Sequence, residues 1–142
     1  MTLATTPREI LARSRTIAVV GASRDPGKPG HGVPAVLRRH GFRIIPVNPN
    51  AAGAVLFGEP VRASLLEIDE PVDIVDVFRP GADAPEIARQ AVAIGAGALW
   101  LQSDITSAEA RRIAEAAGID YVEDRCIGVE RALGQITARA GD

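Results

Sequence analysis

The sequence predicts an α/β protein: a three-layer, doubly wound domain with a mainly parallel sheet of about five strands. Three observations carry this. Short apolar runs rich in β-branched residues alternate with amphipathic segments along nearly the whole chain; the runs are apolar at consecutive positions; and the segments between them have readable helix ends. A strand apolar on both sides is covered on both faces, as in a parallel sheet packed between helices. Right-handed crossovers then fix the winding. At 142 residues the chain is long enough for one core and has no linker, so residues 1–142 read as one domain.

Thr6 and Glu9 announce the first helix as a T-x-x-E capping box, with Pro7 at the first helical position. The first strand is 16–20 (TIAVV). A glycine-rich stretch leads into a helix over about 32–40, with Val33, Val36, Leu37 and His40 on one face. Its last turn carries Arg38, Arg39 and His40, basic residues that suit a helix C-terminus. The second strand is 42–47 (FRIIPV). Residues 48–72 are dense in turn signals and give only a short strand near 54–56 and one helical turn at 64–68. The third strand, 73–78 (DIVDVF), precedes Asp83 and Glu86 at capping-box spacing, and the fourth, 98–102 (ALWLQ), precedes Thr106 and Glu109 at the same spacing. The fifth is 119–123 (IDYVE). A last helix near 129–137 carries the stripe Val129, Ala132, Leu133 and Ile136. Gly41, Gly95 and Gly118 stand just past three helix ends, where a left-handed residue is commonly needed.

Composition removes several function classes. Sixteen basic against eighteen acidic residues leave a net charge of −2, which is no electrostatic footprint for nucleic acid. The aromatics Phe42, Phe57, Phe78, Trp100 and Tyr121 are dispersed, unlike a base-stacking platform. Cys126 is the single cysteine, so no internal disulfide forms and a reducing cytoplasm is the expected compartment. The opening MTLATTPREILARS lacks the pattern of an export signal, and no apolar run reaches the roughly 18 residues of a membrane span.

The informative stretch is VVGASRDPGKPGHG, residues 19–32. In a doubly wound sheet the ligand crevice lies at the carboxyl ends of the strands, and the loop after the first strand is its floor. Gly21 sits there. Glycines allow a sharp turn and close approach, and the amides opening the next helix carry partial positive charge, so the stretch reads as a phosphate-binding turn. Two better-known phosphate loops fail. A Walker loop needs G-x-x-x-x-G-K-[ST], but Gly27 is one residue too far from Gly21, and Pro29 offers no hydroxyl for magnesium. A dinucleotide fingerprint needs a second glycine where Ser23 stands and an acidic residue where Asn48 ends the second strand. NAD is thereby disfavoured.

The chain resembles the small CoA-binding Rossmann proteins and, more distantly, the CoA-binding N-terminal domain of the succinyl-CoA synthetase α subunit. The pieces that carry the resemblance are VVGAS with its proline-lysine-glycine loop, GFRIIPVNP with GEPV shortly after, VDIVDVFRP, ALWLQSDI and EDRCIG, in order along nearly the whole chain. It implies a Rossmann-like fold binding coenzyme A or an acyl-CoA at the strand ends. Gly21, Ala22, Ser23 and Arg24, with Lys28 and Gly30, would approach the phosphates. Val47, Asn48 and Pro49 would flank the adenosine, and Phe78, Arg79, Pro80 and Gln102 would line the path of the pantetheine arm. Two departures matter. The lysine that follows the proline in the synthetases is absent from NPNAAG, so charge must come from Arg24, Lys28 or Arg79. The synthetases' catalytic histidine resides in a second domain that this chain does not contain, so the resemblance implies binding without acyl-CoA synthesis.

No catalytic constellation stands out. Cys126 has no histidine linked to it by a motif and reads as a small buried hydrophobe in preference to a reactive thiol. His31 could line the loop and His40 serve a helix end; no ligand pair has metal spacing. Asp124 and Arg125 read as a structural ion pair, and Asp73 and Asp76 lack an acid-base partner. Two other classes stay open: an NAD(P)-linked redox enzyme or sensor with Arg24 on a 2′-phosphate, and a regulatory chain that acts as a homo-oligomer or with a partner enzyme subunit.

Overall fold

The computed structural model describes residues 5–140; residues 1–4, which open the stretch read for an export signal, and 141–142 lie outside them. Five parallel strands form the main sheet: β1 (Thr16–Val20), β2 (Arg43–Val47), β5 (Ile74–Val77), β6 (Ala98–Leu101) and β7 (Asp120–Val122). Their order is β2-β1-β5-β6-β7. The chain winds outward from β1 to β2, then returns to the other side of β1 through β5, so the winding reverses between β1 and β5. A crevice opens at such a reversal because the connections leave the strand ends in opposite directions.

Successive side chains on each strand point to opposite faces, which explains the unbroken apolar runs. Ala18, Val20, Val75, Val77, Leu99 and Leu101 face helices α3 (Ala84–Ala93) and α4 (Ala108–Ala116). Ile17, Val19, Ile74, Ala98 and Trp100 face α1 (Pro7–Ala12), α2 (Pro29–Arg39) and α5 (Ile127–Gly134). Trp100 is fully buried, and its Nε1 donates to the Arg125 carbonyl at 2.8 Å, so its polar atom is satisfied. Pro46 is tolerated because β2 is paired in the main sheet only with β1. The outer side of β2 carries a small hairpin, β3 (Val55–Leu56) with β4 (Glu59–Pro60), tied by Arg43 and Arg62 to Glu59 at 2.8 and 3.1 Å. Burial raises the Glu59 pKa, but the bonds and charges of Arg62 and Arg43 outweigh it and leave the carboxyl below its ordinary value.

The capping box at Thr6 and Glu9 forms, and Gly41, Gly95 and Gly118 all have positive φ. Five expectations are corrected. Asp83 makes no cap bond: the chain enters α3 from a 3-10 turn (Gly81–Asp83), and the Asp83 carboxylate bonds Arg79 instead. Ser107, not Thr106, caps α4, its hydroxyl accepting from Ala110 N at 3.0 Å. Helix α2 begins at Pro29, because Pro29 fits the first helical position and Gly30 packs where no side chain could. Helix α5 spans Ile127–Gly134, which turns Val129 and Leu133 outward and puts Ile127 and Gly128 inward. The expected ion pair of Asp124 with Arg125 is also absent: Arg125 meets Glu130 at 3.1 Å and Asp124 accepts the Asp104 amide at 2.7 Å. No helix among the described residues is long and apolar enough to cross a membrane.

Candidate functional site

Gly21 ends β1 with φ +90°, and a Cβ there would stand 3.1 Å from the Phe78 carbonyl, so the ends of β1 and β5 meet as closely as backbone permits. Gly30 is tighter: a Cβ would lie 2.6 Å from the Gly21 carbonyl. Two glycines thus press the opening of α2 against the tip of β1. Pro34, inside α2, has no N–H to offer the Gly30 carbonyl four residues back, and that carbonyl accepts the Ser23 amide at 3.1 Å instead. His31 Nδ1 meets the Ser23 carbonyl at 2.8 Å, and Ser23 Oγ accepts the Asp25 amide at 3.0 Å. Ser23 therefore braces the loop with all three of its polar groups.

The donors left over decide what the loop can do. Gly21 N–H goes to Val47 O, Lys28 N–H to Asp25 O, and Gly27 N–H to the Asp25 side chain. The amides of Ala22, Arg24 and Gly30 make no hydrogen bond among the described residues. An unspent donor in the first turn of an 11-residue helix, Gly30 N–H, can receive an anion, which the helix dipole favours there. Lys28 stands exposed at the N-cap of that helix.

The crevice has two lobes that share Gly21, Asn48, Asn50 and Arg79. The smaller, about 380 Å³, lies between the end of β2 and α3; Val20, Val47, Leu65 and Ile87 are among its apolar walls, and Pro49 is at its mouth. The larger, about 720 Å³, runs from Ser23, Lys28 and Gly30 past Phe78 to Gln102, Ile105 and Cys126. Both volumes fall in the usual range for small-molecule sites, roughly 300–1,000 Å³. Of the residues singled out from sequence, Gly21, Ser23, Lys28, Gly30, Val47, Asn48, Pro49, Phe78, Arg79 and Gln102 line one lobe or both. Ala22, Arg24 and Pro80 line neither; Ala22 has its methyl in the core and presents only its backbone.

Three side chains are already engaged. Asn48 donates to Ala22 O and accepts from Asn50 N, both at 2.9 Å, clamping the end of β2 to the glycine loop. Asn48→Ala removes both bonds and is expected to lower stability by about 1–2 kcal/mol, read as a lower urea midpoint at unchanged slope. Arg79, about half exposed, pairs with Asp83 at 2.9 Å. Gln102 is buried: its Nε2 donates to Asp76, and its Oε1 accepts the Ile127 amide at 3.3 Å, so it caps the opening of α5 beside Cys126. Asp76 is fully buried in mid-sheet with Oδ2 unpartnered. Burial pushes its pKa up to about 8, against the opposing bond from Gln102. Cys126 is half-buried, and among the described residues no cluster of His, Cys, Asp or Glu could hold a metal ion.

A profile described as the CoA binding domain matches residues 15–132. The chain belongs to the CoA-binding domain family. Within it, the chain is 38% identical over 126 residues to the uncharacterized protein YneT of Bacillus subtilis, covering 89% of this chain and 92% of YneT. It is 33% identical over 103 residues to an ADP-forming acetate–CoA ligase II of Archaeoglobus fulgidus, covering 71% of this chain but only 15% of the ligase. Among solved structures it resembles cell-free ID.343 from Thermus thermophilus, with 46% identity, a TM-score of 0.86, and coverage of 89% of this chain and 95% of that one. The fold built here, with α/β layers about a parallel sheet, is therefore shared with that solved structure.

Sequence reasoning missed the far wall of the smaller lobe: Ser64, Leu65, Glu86, Ile87 and Gln90. One signal was present, because Asp83, Ile87 and Gln90 fall four and three residues apart and so share a helix face at the α3 opening. Nothing comparable marks Ser64, which sits in the turn-rich segment.

Proposed function

We propose that the chain is a single-domain, non-catalytic binding protein for coenzyme A or an acyl-CoA. The adenosine occupies the smaller lobe against Val47 and Pro49, the phosphates cross the shared floor at Gly21, and the pantetheine arm follows the larger lobe past Phe78 to Gln102. The observation that carries this is the unspent Gly30 amide at the opening of α2, on the wall of the larger lobe and packed against Gly21, the floor that both lobes share. Asn48 supports it further. Dinucleotide folds place a carboxylate there for the ribose hydroxyls, whereas this amide is spent on Ala22 and Asn50.

The magnitudes require cooperation. A helix opening supplies up to about 1 kcal/mol and a charge-assisted hydrogen bond about 1.5–3, against about 8 for micromolar affinity. Several amides, the Lys28 and Arg24 cations, and apolar cover for the base act together. CoA-binding domains also occur within longer ligases, which supports a role in holding CoA for chemistry carried out by another polypeptide.

Titration calorimetry with CoA, dephospho-CoA, NAD, NADP and ATP tests this. CoA is expected to bind most tightly; no heat at millimolar CoA, or tighter binding of a nicotinamide cofactor, overturns it. Lys28→Ala and Arg24→Ala are each expected to weaken CoA roughly tenfold or more, through loss of one charge-assisted bond, and dephospho-CoA by less. Equal losses on both ligands move these cations from the 3′-phosphate to the pyrophosphate.

A further inference from the structure

The smaller lobe is apolar on its walls and polar at one end. Val20, Val47, Leu65 and Ile87 are each at most 8% exposed, so a flat ring entering the lobe meets hydrocarbon on its faces. At the polar end, Ser64, Glu86 and Gln90 form a chain of hydrogen bonds. Ser64 Oγ accepts the Leu66 amide at 3.1 Å and donates to Gln90 Oε1 at 3.2 Å. Gln90 Nε2 donates to Glu86 Oε2 at 3.3 Å.

These bonds fix which end of the carboxamide is which. A carboxylate only accepts, so the amide nitrogen faces Glu86; the amide oxygen then faces Ser64, whose hydroxyl donates to it while accepting from Leu66. Each end of Gln90 keeps one group in reserve: a second N–H on Nε2 and a second lone pair on Oε1.

We propose that this oriented carboxamide reads the base and makes the smaller lobe select adenine over guanine. The selectivity rests on the CoA-binding function proposed above and adds to it the residue that discriminates the base. Adenine presents an amino donor beside a ring-nitrogen acceptor, which a carboxamide matches with two bonds. Guanine presents a carbonyl beside an N–H, the same groups in inverted order. A free carboxamide would rotate to suit either base, whereas this one is held by Ser64 and Glu86. Gln90 is the reading group, and Ser64 and Glu86 are positioning residues.

Competition against bound CoA by adenosine 3′,5′-bisphosphate and guanosine 3′,5′-bisphosphate tests this on the full chain. Wild type is expected to prefer the adenine compound roughly 5- to 100-fold, the range of one bidentate base contact. Gln90→Leu is expected to remove that preference by weakening the adenine compound alone. Glu86→Gln, which frees the carboxamide to rotate, is expected to narrow the preference by strengthening the guanine compound. Far-UV circular dichroism of each variant reports folding. If CoA binds and Gln90→Leu leaves the preference unchanged, the inference fails while CoA binding stands; if CoA does not bind at all, both fail.

Discussion

Replacing Asp76 by Asn is expected to remove a pH dependence of stability that the wild-type protein shows between about pH 4 and pH 8. Asp76 lies on β5 in register with Val19 and Trp100, with no charged side chain contributing to its titration. Burial is the dominant cause of its raised pKa, and the single bond from Gln102 only opposes it, so the carboxyl is protonated in the folded protein until about pH 8. In the unfolded chain the same group ionises near its ordinary value of about 3.9. As pH rises through that interval the unfolded state releases this proton and the folded state keeps it, so stability falls by about 1.4 kcal/mol per pH unit. Below pH 4 both states are protonated and above pH 8 both are ionised, so the loss is confined to the window and totals on the order of 5 kcal/mol.

Asparagine is neutral throughout, and its Nδ2 takes the place of an oxygen that already lacks a partner. Urea unfolding of both proteins at pH 5, 6.5 and 8 checks this. The wild type is expected to lose several kcal/mol relative to Asp76→Asn between the extremes, while the slopes from all other groups cancel. Parallel stability curves would refute the raised pKa.

The fold was legible because its signals are local. Thr16–Val20 reads as a strand from five consecutive residues, and the structure places its ends where the sequence does. Thr6 and Glu9 cap α1 as their spacing requires, with nothing else competing for them. The same spacing failed at Asp83 because Arg79, four residues back, takes the carboxylate, a competitor that a capping pattern does not contain. At Thr106-Ser107 two adjacent hydroxyls could serve, and only the path of the chain selects the second.

The site divides along the same line. The floor at Gly21, Lys28 and Gly30 is contiguous in sequence and could be read from it. Asp76 has no role legible in the sequence, because its meaning depends on Gln102, 26 residues away, and on a cover of side chains from the other layers. Gln90 shares a helix face with Asp83 and Ile87 in the sequence, but its meeting with Ser64, across the same 26 residues, has no sequence signal. What sequence conceals here is pairing between elements; what it reveals is the backbone chemistry of single turns.

The glycine loop offers the second large effect, as a contrast between neighbours. Gly30→Ala places a methyl 2.6 Å from the Gly21 carbonyl, and neither partner is a movable side chain end. The two backbones must separate, which breaks the bond from Ser23 to Gly30 and tilts the opening of α2 away from β1. Overpacking of this kind costs about 1–3 kcal/mol of stability. Ligand affinity is expected to fall further, because the unspent Gly30 amide on the wall of the larger lobe moves with the opening of α2, and losing one charge-assisted bond of about 1.5–3 kcal/mol is roughly ten- to a hundredfold. Gly32, two residues on and inside α2, has nothing within 4 Å of where a Cβ would stand. Gly32→Ala is therefore expected to raise stability by about 0.5–1 kcal/mol through the better helix former and to leave CoA affinity within twofold. Thermal melts and CoA titrations of the two variants check this. Equal behaviour would mean that close packing at Gly30 does not shape the anion site, and the phosphates would have to be held by side chains alone.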